Sequence, residues 1–201
     1  MAQFVHMSQR FKIAKQLSYD ESSKQKIDQY SGLKVWESAY DLCDYLETLD
    51  WTSIHTVLEL GCGHGLPGLV ALQRGKHVTF QDYDPATLEI TRQTLSLNGA
   101  SLENAQFVAS SWQKFSPSRF DLVICSEAVY DSENFKVLSD ILAASIGRNG
   151  IGLVAGKKFY FGCGGGTLGF AAFVAPTFNV RSVHSFEDKR SNIREILELR
   201  F

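Results

Sequence analysis

The stretch Leu58-Glu59-Leu60-Gly61-Cys62-Gly63-His64-Gly65 ends a short apolar run, residues 57–60, in a cluster of glycines. An apolar run of that length reads as a buried strand. Glycines directly after it mark a strand that turns sharply into a helix, where backbone without Cβ atoms can come close to a ligand. Downstream, residues 69–73 suit a helix closed by Gly75 and residues 78–80 a second strand. Pro85 suits the first turn of a helix that stops at Asn98 and Gly99. Residues 107–109, 122–125 and 153–155 are further short buried strands, and residues 167–175 suit another helix. Upstream, Trp36, Ala39, Tyr40, Cys43, Leu46 and Leu49 recur at helical spacing and form one apolar face. This alternation predicts a parallel sheet with right-handed crossovers. The end of the chain differs: residues 178–184 and 193–201, joined by the polar stretch 187–192, predict an antiparallel pair. In it Ile193, Leu197, Leu199 and Phe201 share one face, with Glu195 as the exception. There is no internal repeat and no sign of a second domain.

Gly63, Gly65 and Gly68 satisfy the glycine spacing of dinucleotide-binding loops, so a nicotinamide or flavin cofactor is one reading. Three details favour S-adenosylmethionine instead. Glu59, an acid at the end of an apolar strand, would be offset by an ammonium group and would repel a pyrophosphate. Pro67 removes an amide hydrogen that a phosphate at the helix start would use. Asp82 follows Gly63 by 19 residues at the end of the second strand, where a carboxylate can accept hydrogen bonds from ribose hydroxyls. Asp84 competes for that role but better suits the cap of the helix entered through Pro85.

The 201 residues are 44% apolar and 21% charged, with a formal net charge of −2, the profile of a globular domain with a sizeable core. That charge gives no electrostatic reason for direct nucleic-acid binding or for attachment to an anionic membrane. Cys43, Cys62, Cys125 and Cys163 stand far apart, suggesting neither a zinc site nor a disulfide framework, and point to reduced thiols in the cytoplasm or nucleus. The most apolar late stretch, 151–176, is interrupted by Lys157, Lys158 and glycines and is no membrane span. Residues 1–30 are polar and charged and are expected to form a partly mobile lead-in to a domain spanning 31–201.

Gly32-Leu33-Lys34-Val35-Trp36-Glu37, the 58–65 loop, Phe80-Gln81-Asp82-Tyr83, Ser126-Glu127-Ala128-Val129-Tyr130 and Tyr160-Phe161-Gly162-Cys163-Gly164-Gly165-Gly166 together resemble the protein-histidine methyltransferases that modify a large-subunit ribosomal protein. Those enzymes belong to the class I protein methyltransferases with an acid-x-x-Tyr motif. The resemblance implies a Rossmann-like α/β fold: a seven-stranded, mostly parallel sheet with an antiparallel last strand and helices on both faces. It implies S-adenosylmethionine as donor, S-adenosylhomocysteine as product, a histidine ring nitrogen as acceptor and a ribosomal protein partner; a monomer is expected. Its cofactor contacts carry over to Trp36, Glu37, Ser38, Gly61, Gln81, Asp82, Tyr83, Ser111, Trp112 and Ser126, beside Glu59 and Gly63 of the loop. Trp112 offers a face to a purine, and Tyr83 can close over the ribose or adenine edge. Trp36 also suits plain core, and Glu37 a first-turn acid favoured by the helix dipole.

Methyl transfer from a sulfonium needs alignment and exclusion of water rather than a metal. A lysine of pKa ~10.4 must first be neutralised, at a cost of about 4.6 kcal/mol at pH 7, whereas a histidine of pKa ~6.5 is already roughly three-quarters neutral. Glu127, just past the fourth strand, can accept the proton on one imidazole nitrogen and leave the other aimed at the methyl; Tyr130 can line the acceptor channel. Glu127 as a helix cap and Tyr130 as a wall residue are the plainer alternatives. Tyr160, Phe161, Gly164 and Gly165 are expected along the bound peptide, in a segment with few side chains; a flexible loop is the other reading. His64 is not expected to act as a base. A protein-lysine methyltransferase, a non-catalytic ribosome assembly factor that binds the cofactor, and a dehydrogenase are the competing functions.

Overall fold

A computed structural model describes residues 10–14, 34–187 and 193–201. Most of the expected lead-in, Gly32 and Leu33 of the first motif, and most of the polar stretch 187–192 lie outside the described residues. Seven strands form one sheet: β1 (Thr56–Leu60), β2 (His77–Asp82), β3 (Ala105–Ala109), β4 (Phe120–Ser126), β5 (Ile146–Lys157), β6 (Asn179–Phe186) and β7 (Arg194–Arg200). Their order is β3-β2-β1-β4-β5-β7-β6. Pairing from β3 through to β5 is parallel, while β7 runs antiparallel to both β5 and β6. Among the described residues five α-helices accompany it: α1 (Glu37–Leu46), α2 (Leu66–Gln73), α3 (Pro85–Leu97), α4 (Phe135–Ser145) and α5 (Thr167–Val174). Among the described residues no helix is long and apolar enough to cross a membrane.

Strands buried on both faces need near-continuous apolar sequence, and β1, β4 and the second half of β5 have it. Side chains alternate between the faces. Val57, Leu122 and Ile124 point to a cluster built with Leu42, Leu69 and Leu95 of α1, α2 and α3. Leu58, Val123 and Cys125 point to a second cluster with Leu138 of α4 and Phe170 of α5. Helices therefore cover both faces. Asp84 caps α3 through its side chain, which accepts a hydrogen bond from the Ala86 amide at 2.9 Å, and Gly99 follows the helix with φ 69°.

Residues 10–14 lie against this domain. Phe11 and Ala14 are buried, the Lys12 amide donates to Asn98 Oδ1 at 2.9 Å, and Arg10 pairs with Glu47 at 2.8 Å. Packed chain thus begins ahead of residue 31. β7 departs from the expected one-faced pattern: six of its seven residues are buried, because α1 packs over one of its faces and α5 over the other. Its charges are satisfied one by one. Arg194 pairs with Asp41 of α1 through two hydrogen bonds, one of them 3.2 Å, and Glu195 accepts from Thr167 and, at 2.8 Å, from Ser182. Phe201, expected on the buried face, is 56% exposed just past the end of the strand.

Candidate active site

The sheet order reverses between β1 and β4, and a cavity of about 880 Å³ opens there at the C-terminal strand ends. One half is built by the glycine turn. Gly61, Gly63 and Gly65 all take left-handed backbone angles, φ 59°, 52° and 69°. Beneath them the buried Gln81 organises three neighbours: its Oε1 accepts from the Gly61 amide at 3.3 Å and from Trp112 Nε1 at 2.9 Å, and its Nε2 donates to the Ser110 carbonyl at 2.6 Å. The Trp112 indole therefore stands beside Gly61, where an added Cβ would come within 3.7 Å of the ring. Asp82 accepts from the amides of Gly63 and Asp84 at 3.1 and 3.3 Å, and burial raises its carboxyl pKa. Ser111 and Ser126 line the same space, and Tyr83 stands 70% exposed on its rim.

Two expected cofactor contacts lie elsewhere. Glu59 is 1% exposed and does not line the cavity; its Oε2 accepts from the Gly68 amide of α2 at 2.9 Å, and burial pushes its pKa up to about 8. The strand's alternation explains this. Glu59 shares the Val57 face, beneath α2, rather than the strand tip. Ser38, also 1% exposed, turns away from the cavity and donates its hydroxyl to Glu127 Oε1. Trp36 and Glu37 do line the cavity, and the Lys34 ammonium lies 4.2 Å from the centre of the Trp36 ring.

The other half gathers around Glu127, the one non-glycine residue with positive φ (56°) among the described residues. Its amide still donates to Ala155 of β5 at 2.9 Å, so the turn begins directly at the end of β4. One carboxylate oxygen accepts from Ser38 and the other from the Tyr160 hydroxyl. Tyr130 meets Tyr160 edge-on, with ring centres 6.5 Å apart. Burial and the Glu127 charge hold the Tyr160 phenol above the usual tyrosine range.

Tyr160 and Phe161 line the cavity, whereas Gly164 and Gly165 do not. These two glycines were expected to make room for a peptide; Gly165 makes room for the protein's own backbone instead, and Gly164 pairs with it. A Cβ at Gly165 would lie 2.3 Å from the Tyr130 carbonyl, Gly164 forms a β-bridge with Asp131, and the Gly166 amide donates to the Val129 carbonyl at 2.8 Å. The block thereby docks onto residues 129–131 and carries Tyr160 to Glu127. Lys157, Phe159, Asn134 and His64 also line the cavity. Lys157 could have been found as the last residue of a parallel strand, the end at which ligands bind; its ammonium lies 5.9 Å from the centre of the Trp36 ring. His64 Nδ1 lies 3.2 Å from Thr94 Oγ1.

A seven-stranded sheet in this order, with one antiparallel strand and a glycine turn at the reversal, defines the class I methyltransferase fold. Accordingly, the N-methyltransferase NodS of Bradyrhizobium japonicum in complex with S-adenosylhomocysteine superposes with a TM-score of 0.66 at 16% identity, over 80% of this chain and 85% of that one. Within that class the chain belongs to the lysine methyltransferase family, whose model matches residues 15–160. The histidine protein methyltransferase 1 homolog of Dictyostelium discoideum is 33% identical over 84% of this chain and 57% of its own length. The EEF1A lysine methyltransferase 3 of Mus musculus is 33% identical over 62% of this chain and 55% of its own. The chain thus spans about half the length of these curated relatives.

Proposed function

We propose that this chain is a protein-histidine N-methyltransferase that moves a methyl group from S-adenosylmethionine to a ring nitrogen of a histidine in a protein, a large-subunit ribosomal protein being the expected substrate. The observation that carries the reading is the Glu127 carboxylate, fixed at both oxygens on the wall of the cavity. The glycine turn and the indole beside it suit an adenosine: Gly61 puts no side chain against the Trp112 indole, and the Asp82 carboxylate stands at the β2 end, where ribose hydroxyls can donate to it. When bound, S-adenosylmethionine supplies an activated methyl on a sulfonium that is its own leaving group.

The protein's part is alignment. An ionised carboxylate offers about four lone pairs, so Glu127 can accept a third hydrogen bond while keeping those from Ser38 and Tyr160. Taking the N–H of one imidazole nitrogen, it selects the tautomer whose other nitrogen carries the free lone pair. As the ring becomes cationic it offsets the charge, and it then accepts the ring proton to restore a neutral product. Tyr130 and Tyr160 wall this side and exclude water.

A lysine acceptor is the second reading, favoured by the family description and by the EEF1A relative. A carboxylate beside the amine works against it, because it stabilises the ammonium that must lose its proton before attack. The test is to incubate the pure protein and labelled S-adenosylmethionine with ribosomal proteins from cells lacking this gene, then hydrolyse the products. Labelled methylhistidine is expected. Methyllysine would replace the reading with its neighbour, and no label despite S-adenosylhomocysteine binding would favour a scaffold.

A further inference from the structure

Glu127 joins two elements whose residues were expected to serve different ligands, Ser38 of α1 on the cofactor side and Tyr160 after β5 on the acceptor side. The direction of the Tyr160 bond is dictated by the backbone. Its hydroxyl oxygen accepts from the Lys157 amide at 3.0 Å, so its single proton is left for Glu127. That amide belongs to the sheet, where Lys157 closes β5 in register with Arg194 of β7, and Arg194 is tied to Asp41 of α1. Asp41 follows Ser38 by three residues on the same helix, so the two are neighbours on one side of it. α1 is thus held to the sheet at two places, and one of them is the carboxylate. Ser38 does not line the cavity and cannot serve a ligand there without releasing Glu127.

We infer that the hydroxyls of Ser38 and Tyr160 are positioning groups, which fix the plane and the free lone pairs of Glu127 from opposite sides and act on methyl transfer through it. This rests on the reading of Glu127 as the group that meets the acceptor. Ser38→Ala and Tyr160→Phe are each expected to lower kcat about tenfold, the scale of one hydrogen bond to a charged group. The dissociation constant for S-adenosylhomocysteine is expected to stay within about twofold, because both hydroxyls are committed to Glu127. In a Glu127→Gln background both further losses in kcat shrink to near onefold, since removing a group that acts through another costs little once the other is gone. A weaker S-adenosylhomocysteine affinity in Ser38→Ala with unchanged kcat would return that residue to the cofactor. Losses that multiply in full on top of Glu127→Gln would make the hydroxyls independent of it.

The same cycle needs no turnover when read in melting temperature. With Glu127→Ala as the partner variant, each hydroxyl substitution lowers Tm less than it does in the wild type. Additive shifts would overturn the inference even for a protein that methylates nothing. Formation of methyllysine instead of methylhistidine would overturn the proposed acceptor alone and leave the coupling intact.

Discussion

Glu127 holds its carboxylate on a backbone turn that L side chains rarely adopt, and the hydrogen bonds to Ser38 and Tyr160 fix the side chain there. Glu127→Gln keeps the shape and loses the negative charge. It is expected to bind S-adenosylhomocysteine as the wild type does, by calorimetry, and to lose about 10²–10⁴-fold in kcat, the usual range for a positioned proton acceptor. Glu59 behaves differently because it answers to the fold. Its pKa rises from 4.5 to about 8 on folding, chiefly through burial. Between those values the folded chain binds a proton that the unfolded chain does not. The resulting stability is fully present below about pH 4.5 and is lost as pH rises through about 8, a change on the order of a few kcal/mol. Glu59→Gln can still accept from Gly68 and has no proton to lose. Thermal melts from pH 6 to 9 are expected to show the wild type falling relative to this variant; parallel curves would refute the protonated state. The sequence pointed Glu59 at the ligand, because an acid before a glycine turn looks the same whether it meets a ligand or a helix amide. The place of Asp82 and Trp112 at the cavity was legible from their positions at a strand end and in the loop after β3.

Among the elements, the block after β5 does the most to assemble the site. Its glycines let residues 160–166 lie directly on residues 129–131, so one loop braces the other and both tyrosines stay at the cavity. Gly165→Ala drives a methyl into the Tyr130 carbonyl and pushes the loops apart. The expected result is a loss of more than tenfold in kcat, with cofactor affinity nearly unchanged, since the glycine turn after β1 is untouched. Methyl-transfer kinetics beside a calorimetric titration would check it. The strands and helices themselves were mostly legible from apolar runs, Pro85 and the glycine stops. β5 was not: its twelve residues include Gly147, Gly150, Gly152 and Gly156 and the polar Arg148 and Asn149, which break the apolar run down to 153–155. Pairing with β4 and β7, a long-range property, carries the strand through Gly152 and Gly156, while residues 147–150 lie at a register shift between the paired Ile146 and Ile151.

Across the whole molecule, the ion pair between Asp41 and Arg194 links the first helix to the last strand, 153 residues apart in sequence. Both partners are buried, so removing either breaks a buried ion pair. Arg194→Ala is expected to cost about 3–5 kcal/mol in urea unfolding, and pairing an apolar Asp41→Leu with Arg194→Met to recover most of it. Full recovery with poor turnover would show that the pair serves the placement of α1 over the site more than stability. Neither residue was singled out in the sequence, because a charged residue on a helix or strand ordinarily faces water and only the insertion of β7 buries this pair.

That insertion governs how the protein can be made. β7 enters the sheet between two strands that precede it in the chain, so while the polypeptide is being synthesised β5 has no neighbour on one side. Until residue 200 has cleared the ribosomal exit tunnel, the apolar run Leu153–Val154–Ala155 borders an open edge, the surface to which chaperones and aggregating chains attach. Nonsense or frameshift alleles that spare every cavity residue but disturb this late strand should therefore behave as nulls.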